Sequence, residues 1–210
     1  RRVVSSNFSS TARSASTLVV APHGEGALDA SVANLATAAQ TIGGDVHVLI
    51  AGSDVDGAAA EAASLPGVTK VLTAQNAAYD NGIAENITKL VLDQQAAGNY
   101  THIISSANNY GKNILPRIAA KLDVAMLSDV SAINGDTEFE RPTYAGNAIT
   151  TVTSNEPVHV LTIRTTTFDK AESGSDSSPV EAVDVPDDAD LGLTSFVSAE
   201  VSASDRQELS

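Results

Sequence analysis

Four times in its first 125 residues, this chain passes from a short apolar run through a turn into a segment of helical periodicity. Thr17–Ala21 (TLVVA) reads as a first strand, Pro22–Gly26 as its loop, and Val32, Leu35, Ala36, Ala39 and Ile42 fall at helical spacing before Gly43-Gly44. Asp45–Ala51 (DVHVLIA) is a second strand, followed by a helix that Asp54 is placed to cap and Pro66-Gly67 to end. Val68–Thr73 is a third strand, and Ile83, Ile87, Leu90 and Val91 mark a third helix. His102–Ser106 is the fourth strand, with a polar loop over Ala107–Lys112 and a helix over Asn113–Leu122. Strand–helix repeats with short loops predict right-handed crossovers and one parallel sheet with helices on both faces. The expected fold is therefore three-layer α/β, nucleotide-hydrolase-like or Rossmann-like, with a mostly parallel sheet.

After Ala125 the pattern changes. Val130–Asn134, Glu138–Tyr144, Ala148–Thr153 and Val158–Arg164 read as strands separated by turn residues and not by helices. They predict an antiparallel β extension of the same sheet. Residues 170–192 are acidic, with Gly, Ser and Pro, and read as a surface excursion or a mobile loop. Ser195–Ser204 alternates weakly, as a last edge strand would.

Aromatic residues make up only 4% of the chain, so the core must be built from small and β-branched side chains, as in a parallel sheet covered by Ala-rich helices. A net charge of −14 argues against nucleic acid, whose phosphates need clustered Lys and Arg, and against an anionic membrane surface. Direct membrane insertion is not expected, because no apolar run approaches the roughly 20 residues a spanning helix needs. There is no Cys, which removes disulfides, thiolate metal sites and Cys nucleophiles. Residues 1–16 hold three Arg, six Ser and no acid, the composition of a transit peptide; with no initiating Met, they read as a mitochondrial presequence remnant or a disordered terminus.

Two loops deserve comparison with phosphate sites. Gly24-Glu25-Gly26 lies between a strand and a helix, but a dinucleotide fingerprint needs Gly at 29, where Asp29 stands. Asp29 reads better as a helix cap. The loop before Gly111-Lys112-Asn113 looks like a P-loop, yet Ser106 and Asn113 replace its first Gly and its hydroxyl residue. Lys112 then has a structural or interface role. His23, His47, His102 and His159 lack metal-ligand spacing and read as core or edge residues. There is no G-x-S-x-G nucleophile elbow, and no catalytic residue is assigned. Arg117, Arg141 and Arg164 stand in apolar or turn-rich surroundings, where an Arg either pairs with a carboxylate, crosses an interface, or snorkels.

The segments NYTHI, GKNILPRIAAKLDVAMLSD, RPTYAGNAITTV and VLTIRTTTFD, with STLVVAP and VTKVLTAQ before them, closely resemble the N-terminal domain of the electron-transfer flavoprotein alpha subunit. SAEVSASDRQEL resembles that family's linker into a second domain. The resemblance runs from about Ser16 to Ser210, with an α/β domain over 17–204 and the linker beginning at 205–210.

The resemblance implies a domain that pairs with a similar domain of the beta subunit to make a heterodimer, and a base for the flavin domain. The complete protein would be a mitochondrial matrix carrier. It would take electrons from acyl-CoA and related dehydrogenases and pass them, through FAD, to a membrane quinone oxidoreductase. In the family, FAD is held mainly by the alpha subunit's C-terminal domain, which would follow the linker. No flavin residue is therefore carried over, and tight FAD binding by this chain alone is not expected. The family's AMP belongs to the beta subunit, in keeping with the two incomplete phosphate loops. Lys112, Asn113, Arg117, Arg141, Tyr144, Asn147 and Arg164 are the candidates for fixing loops or contacting a partner. The alternative is a stand-alone structural subunit of a larger mitochondrial complex that uses the same domain without redox activity.

Overall fold

The computed structural model describes residues 14–24, 26–172, 174 and 177–198. The chain order is β1 (Ser16–Val20), β2 (His23–Gly24), β3 (Ala27–Leu28), α1 (Ser31–Ile42), β4 (Asp45–Gly52), α2 (Asp56–Ala63), β5 (Lys70–Gln75), α3 (Ala84–Gly98), β6 (His102–Ser106) and α4 (Asn109–Leu122). There follow β7 (Met126–Val130), β8 (Ala132–Ile133), β9 (Glu138–Thr143), β10 (Ala148–Thr153), β11 (His159–Ile163) and β12 (Val180–Ala182).

Seven strands form one sheet in the order β12-β5-β4-β1-β6-β11-β7, and every pairing in it is parallel. Along β1, side chains alternate between faces. Val19 packs into a core with Val32, Leu35 and Ala36 of α1 and Ala58, Ala59 and Ala62 of α2. Leu18 and Val20 join Ile87, Leu90 and Val91 of α3 and Ile114, Leu115 and Ile118 of α4 on the other face. The result is three layers. The face under α1 and α2 is rich in Ala, and the face under α3 and α4 is filled mainly by branched side chains.

Beyond β6 the structure departs from the expectation in its second half. The antiparallel strands are not an extension of the main sheet: β8, β9 and β10 make a separate three-stranded sheet in the order β10-β9-β8. The segment Val158–Arg164 is not antiparallel either. Its β11 runs parallel, inserted between β6 and β7. The small sheet thus occupies the crossover from β7 to β11 that a helix fills elsewhere, and so strands follow one another in sequence without helices between them. The expected strand over Val130–Asn134 straddles two sheets, with Val130 closing β7 and Ala132–Ile133 opening the small one.

Three local expectations also change. Asp54 does not cap α2; Val55 holds the cap position with no side-chain bond. Within the acidic excursion, β12 adds an edge strand beside β5. Ser195–Val197 and Ser198 are not in a strand, and the rest of the expected last strand, like residues 1–13 and the linker at 205–210, lies outside the described residues.

Candidate functional site

The carboxyl ends of the strands in a doubly wound sheet are where such folds hold ligands. At the end of β1, Asp29 is not the cap that its sequence position suggested: Ala30 holds the cap position of α1 with no side-chain bond, and the Asp29 carboxylate, one residue earlier, accepts the Ser31 N–H at 2.8 Å and so still stands at the start of the helix. Beside it is an open cleft lined by His23, Gly26, Ser53, Asp54, Tyr79 and Asp80. His23 Nε2 donates to the Ala51 carbonyl at 2.9 Å, and Asp80 accepts the Ser53 N–H at 2.7 Å. Two carboxylates therefore stand where a phosphate would have to enter, which opposes anion binding.

The loop after β6 is shorter than its sequence implies. The fourth helix starts at Asn109, so Lys112 and Asn113 lie within its first turns and not at its boundary. Asn108 is the cap, and its side chain accepts the Gly111 N–H at 3.1 Å. The donor that a phosphate cradle would use is taken by the protein itself. Gly111 is required for another reason. A Cβ there would stand 2.0 Å from the Ser106 carbonyl oxygen, because α4 is pressed onto the end of β6.

The arginines separate into two groups. On α4, the Arg117 guanidinium meets Glu85 of α3 at 3.1 Å, and its Nε donates to the Asn113 carbonyl at 3.2 Å. Glu85 also accepts from the Thr194 hydroxyl at 3.1 Å. Its own backbone N–H, Thr194 and Arg117 together hold its carboxyl below the usual range. The next residue, Asn86, is 1% exposed and donates to the Ala78 carbonyl at 2.7 Å while accepting the Leu191 N–H at 3.1 Å. Arg117 is thus part of a clamp that ties the segment around 190–194 across α3. Lys112 and Asn113 are exposed on the same helix.

Arg164 and Arg141 converge on β7. Arg164 makes a two-pronged pair with Asp129, with Nε to Oδ1 at 3.0 Å and Nη2 to Oδ2. Asp129 holds this position with φ +62°, a conformation that Asp adopts more readily than most residues. Arg141 of β9 donates through Nη2 to Ser128 at 2.9 Å, and its Nε is buried with no acceptor among the described residues. These two arginines bolt the small sheet and the end of β11 to β7. Tyr144 is at the tip of the β9–β10 hairpin, 84% exposed at φ +50°, and Asn147 donates to its carbonyl at 3.0 Å. The seven candidates therefore form no single site. Sequence reasoning missed Glu85, Asn86, Asn108 and Asp129, although Asn and Asp before helices and at tight bends are the signal such residues give.

A second junction joins the two sheets at the opposite end of the strands. His102 and His159 are register partners on β6 and β11, with ring centroids 4.7 Å apart, and Phe139 of β9 packs on both. His102 Nε2 donates to the Asp136 carbonyl at 2.7 Å, and His159 Nδ1 is 3.0 Å from the Ser154 hydroxyl. Burial holds the His159 pKa below its ordinary value, with Asp136 and Glu156 opposing weakly. The two histidines are 57 residues apart in sequence, so spacing could not reveal them as a pair.

The outer strand of the small sheet is poorly covered. Ile149 of β10 is 59% exposed, and Thr150, Thr151 and Thr153 are exposed with it. From Tyr144 to Ser154 there is no charged residue.

Comparison with known proteins agrees with this architecture. Residues 17–188 match the electron transfer flavoprotein domain family. The chain is 46% identical to the electron transfer flavoprotein subunit alpha of Pseudomonas aeruginosa over 192 residues, 91% of this chain and 61% of that protein. It is 47% identical to the subunit alpha of Paracoccus denitrificans over 88% of this chain and 58% of the relative. Against the probable mitochondrial subunit alpha of Caenorhabditis elegans, identity is 37% over 96% and 60%. The chain spans about three-fifths of the length of these relatives. With the family matched over most of its length and the parallel sheet in place, the chain belongs to the electron transfer flavoprotein family, among its alpha subunits.

Proposed function

We propose that this chain is the scaffold and docking domain of a mitochondrial electron transfer flavoprotein alpha subunit, and that it binds a beta subunit through its small antiparallel sheet. The observation that carries the docking role is the uncharged, exposed hairpin from Tyr144 to Ser154 in a chain of net charge −14. A protein this acidic that keeps a largely exposed hairpin free of charge has a face suited to burial against a partner. The complete protein carries electrons from acyl-CoA and related dehydrogenases to the quinone pool, in the mitochondrial matrix. It acts as a carrier and not as a catalyst. Support for the compartment comes from mitochondrial relatives in Caenorhabditis, Dictyostelium and Cryptococcus.

A flavin dinucleotide does not fit the described residues. Asp29 and Asn108 occupy the starts of α1 and α4, and Asp54 and Asp80 line the cleft between β1 and β5. Its pyrophosphate would meet carboxylates in place of free N–H groups. In this reading FAD is held by a further part of the complete protein, with this domain as its base.

Co-expression of the complete alpha protein with a beta subunit tests the reading. A one-to-one complex that carries FAD and is reduced by an acyl-CoA dehydrogenase is expected. Failure to co-purify at low salt overturns it.

A further inference from the structure

We propose that Asn81-Gly82 is a modification site, at which Asn81 loses its side-chain amide through a cyclic imide and becomes a mixture of Asp and isoaspartate. The reaction needs no enzyme and no partner. The Gly82 backbone nitrogen attacks the side-chain carbonyl carbon of Asn81, and a C–N bond forms between them. The bond from that carbon to the side-chain nitrogen breaks, and ammonia leaves with the proton that Gly82 gives up. Water then opens the imide. Opening at the side-chain carbonyl gives Asp, and opening at the main-chain carbonyl leaves the backbone running through the side chain, as isoaspartate. Water enters, ammonia departs, and no atom changes oxidation state. Glycine in the second position matters because no Cβ keeps its nitrogen away from the neighbouring side chain.

Three dipeptides of the chain place Asn or Asp before Gly: Asp56-Gly57, Asn81-Gly82 and Asn134-Gly135. The fold restrains two of them. Asp56 and Gly57 open α2, and Gly57 is pressed onto the Gly26 carbonyl oxygen, which a Cβ would meet at 2.4 Å, so the peptide between them has no room to swing. Asn134 is braced on both sides. Its N–H donates to the Glu138 carbonyl at 2.9 Å, and its side-chain nitrogen donates to the Glu140 carboxylate at 2.9 Å and to that of Glu138 at 3.4 Å. Ring closure there would break these bonds, each a net gain to the folded state. Asn81 has no such restraint. Its side chain is exposed, borders two open clefts and makes no hydrogen bond among the described residues. It stands at φ +57° and Gly82 at φ +65°, in the turn that leads to α3. The dihedrals of Asp80 and Asn81 are not helical, so rotation of the Asn81 peptide unwinds no regular helix. Exposed turns of this kind are where a folded chain tolerates local change. The product adds a carboxylate to the cleft that Asp54 and Asp80 already line.

The test ages the complete alpha protein, folded, in mildly alkaline buffer and follows Asn81 and Asn134 by peptide mass mapping, with isoaspartate detected by an isoaspartyl methyltransferase. Conversion at Asn81 is expected at least tenfold faster than at Asn134, with isoaspartate in excess over Asp and a rate that rises with pH. In denaturant the restraint on Asn134 is gone, and the two sites should convert at comparable rates. Asn81→Gln should abolish conversion at 81 and leave the Asn134 rate unchanged. If Asn81 stays intact while folded, or Asn134 keeps pace with it, the proposal is wrong. A gap just as wide in denaturant would overturn the assignment of the choice to the fold. Asp without isoaspartate would overturn the cyclic imide, because direct hydrolysis of the amide gives Asp alone.

Discussion

The two larger sheets of this molecule end in very different edges. The main sheet ends at β12, a strand of three residues whose Glu181 carboxylate takes a 2.7 Å bond from Lys70 on neighbouring β5. Its other end, β7, is bulged against β11 and carries the Asp129–Arg164 pair. Shortness, charge and irregularity each prevent a foreign strand from pairing there. The small sheet ends at β10, which is twice as long as β12, regular and uncharged. Of these three edges, β12 and β7 are guarded and β10 is open. That contrast can be broken by damage to the main sheet, to its clamp, to the joint between sheets, or to the edges themselves.

The largest effect is expected from Gly111→Ala. The new Cβ would meet the Ser106 backbone oxygen, which cannot yield as a side-chain tip would, and should cost about 3 kcal/mol of stability by denaturant titration. Amide exchange along β10 should be unchanged in the folded fraction, because the damage lies in the main sheet. Faster exchange at β10 would show that the two sheets are one cooperative unit. Asn86→Ala comes next. It leaves the Ala78 carbonyl and the Leu191 N–H without their side-chain partner and should cost about 2 kcal/mol. The Leu191 amide is the reporter: if its exchange rate does not rise, the clamp across α3 is not what holds the 190–194 segment.

The joint between the sheets should respond to pH. The folded state keeps His159 neutral because it is buried, so its pKa lies below the ordinary value, whereas the unfolded chain protonates it near pH 6.5. Between those two values the unfolded state binds more protons. Stability is therefore lost as pH falls below about 6.5, at up to ~1.4 kcal/mol per pH unit from this residue. Burial depresses His47 in the same direction beside Tyr100, whose phenol burial pushes up to about 12. Denaturant midpoints from pH 7.5 to 5.5 should fall, and His159→Gln should remove part of the slope while leaving the His47 share. An unchanged slope in that variant would remove His159 from the joint.

The main sheet was largely legible in sequence, and the small sheet was only half so. β1, β4, β5 and β6 declare themselves because each is a buried apolar run followed by helical periodicity, and local spacing carries that signal. Val160, Leu161 and Ile163 of β11 are buried too, but nothing in VHVLTIR says whether its neighbours run parallel. That depends on the β8–β10 excursion serving as a crossover, which is a long-range fact. β12 hides in acidic sequence because an edge strand with three exposed residues needs no apolar pattern. The candidate residues show the same divide. Arg117 and Arg164 do find carboxylates, as an arginine in such places often does, but the identity of Glu85 and Asp129 as partners comes only from the packing of α4 on α3 and of β11 on β7.

The smallest expected effect on stability is also the sharpest test of the contrast between edges. Thr151→Lys places a charge on an exposed side chain of β10 and should change stability by no more than about 0.5 kcal/mol. Lys70→Thr removes the charge pair at the β12 edge, and because Glu181 is exposed to solvent the unfolding midpoint should not move measurably. Folding alone would rank the two variants as equals. Partner capture should separate them, with beta-subunit binding by the complete protein weakened at least tenfold in Thr151→Lys and unchanged in Lys70→Thr. Equal capture by both would mean that charge on β10 is tolerated and that the open edge is an accident of composition. Loss in both would move the docking face to the β12 side, where Lys70 and Glu181 would then be contacts in place of guards.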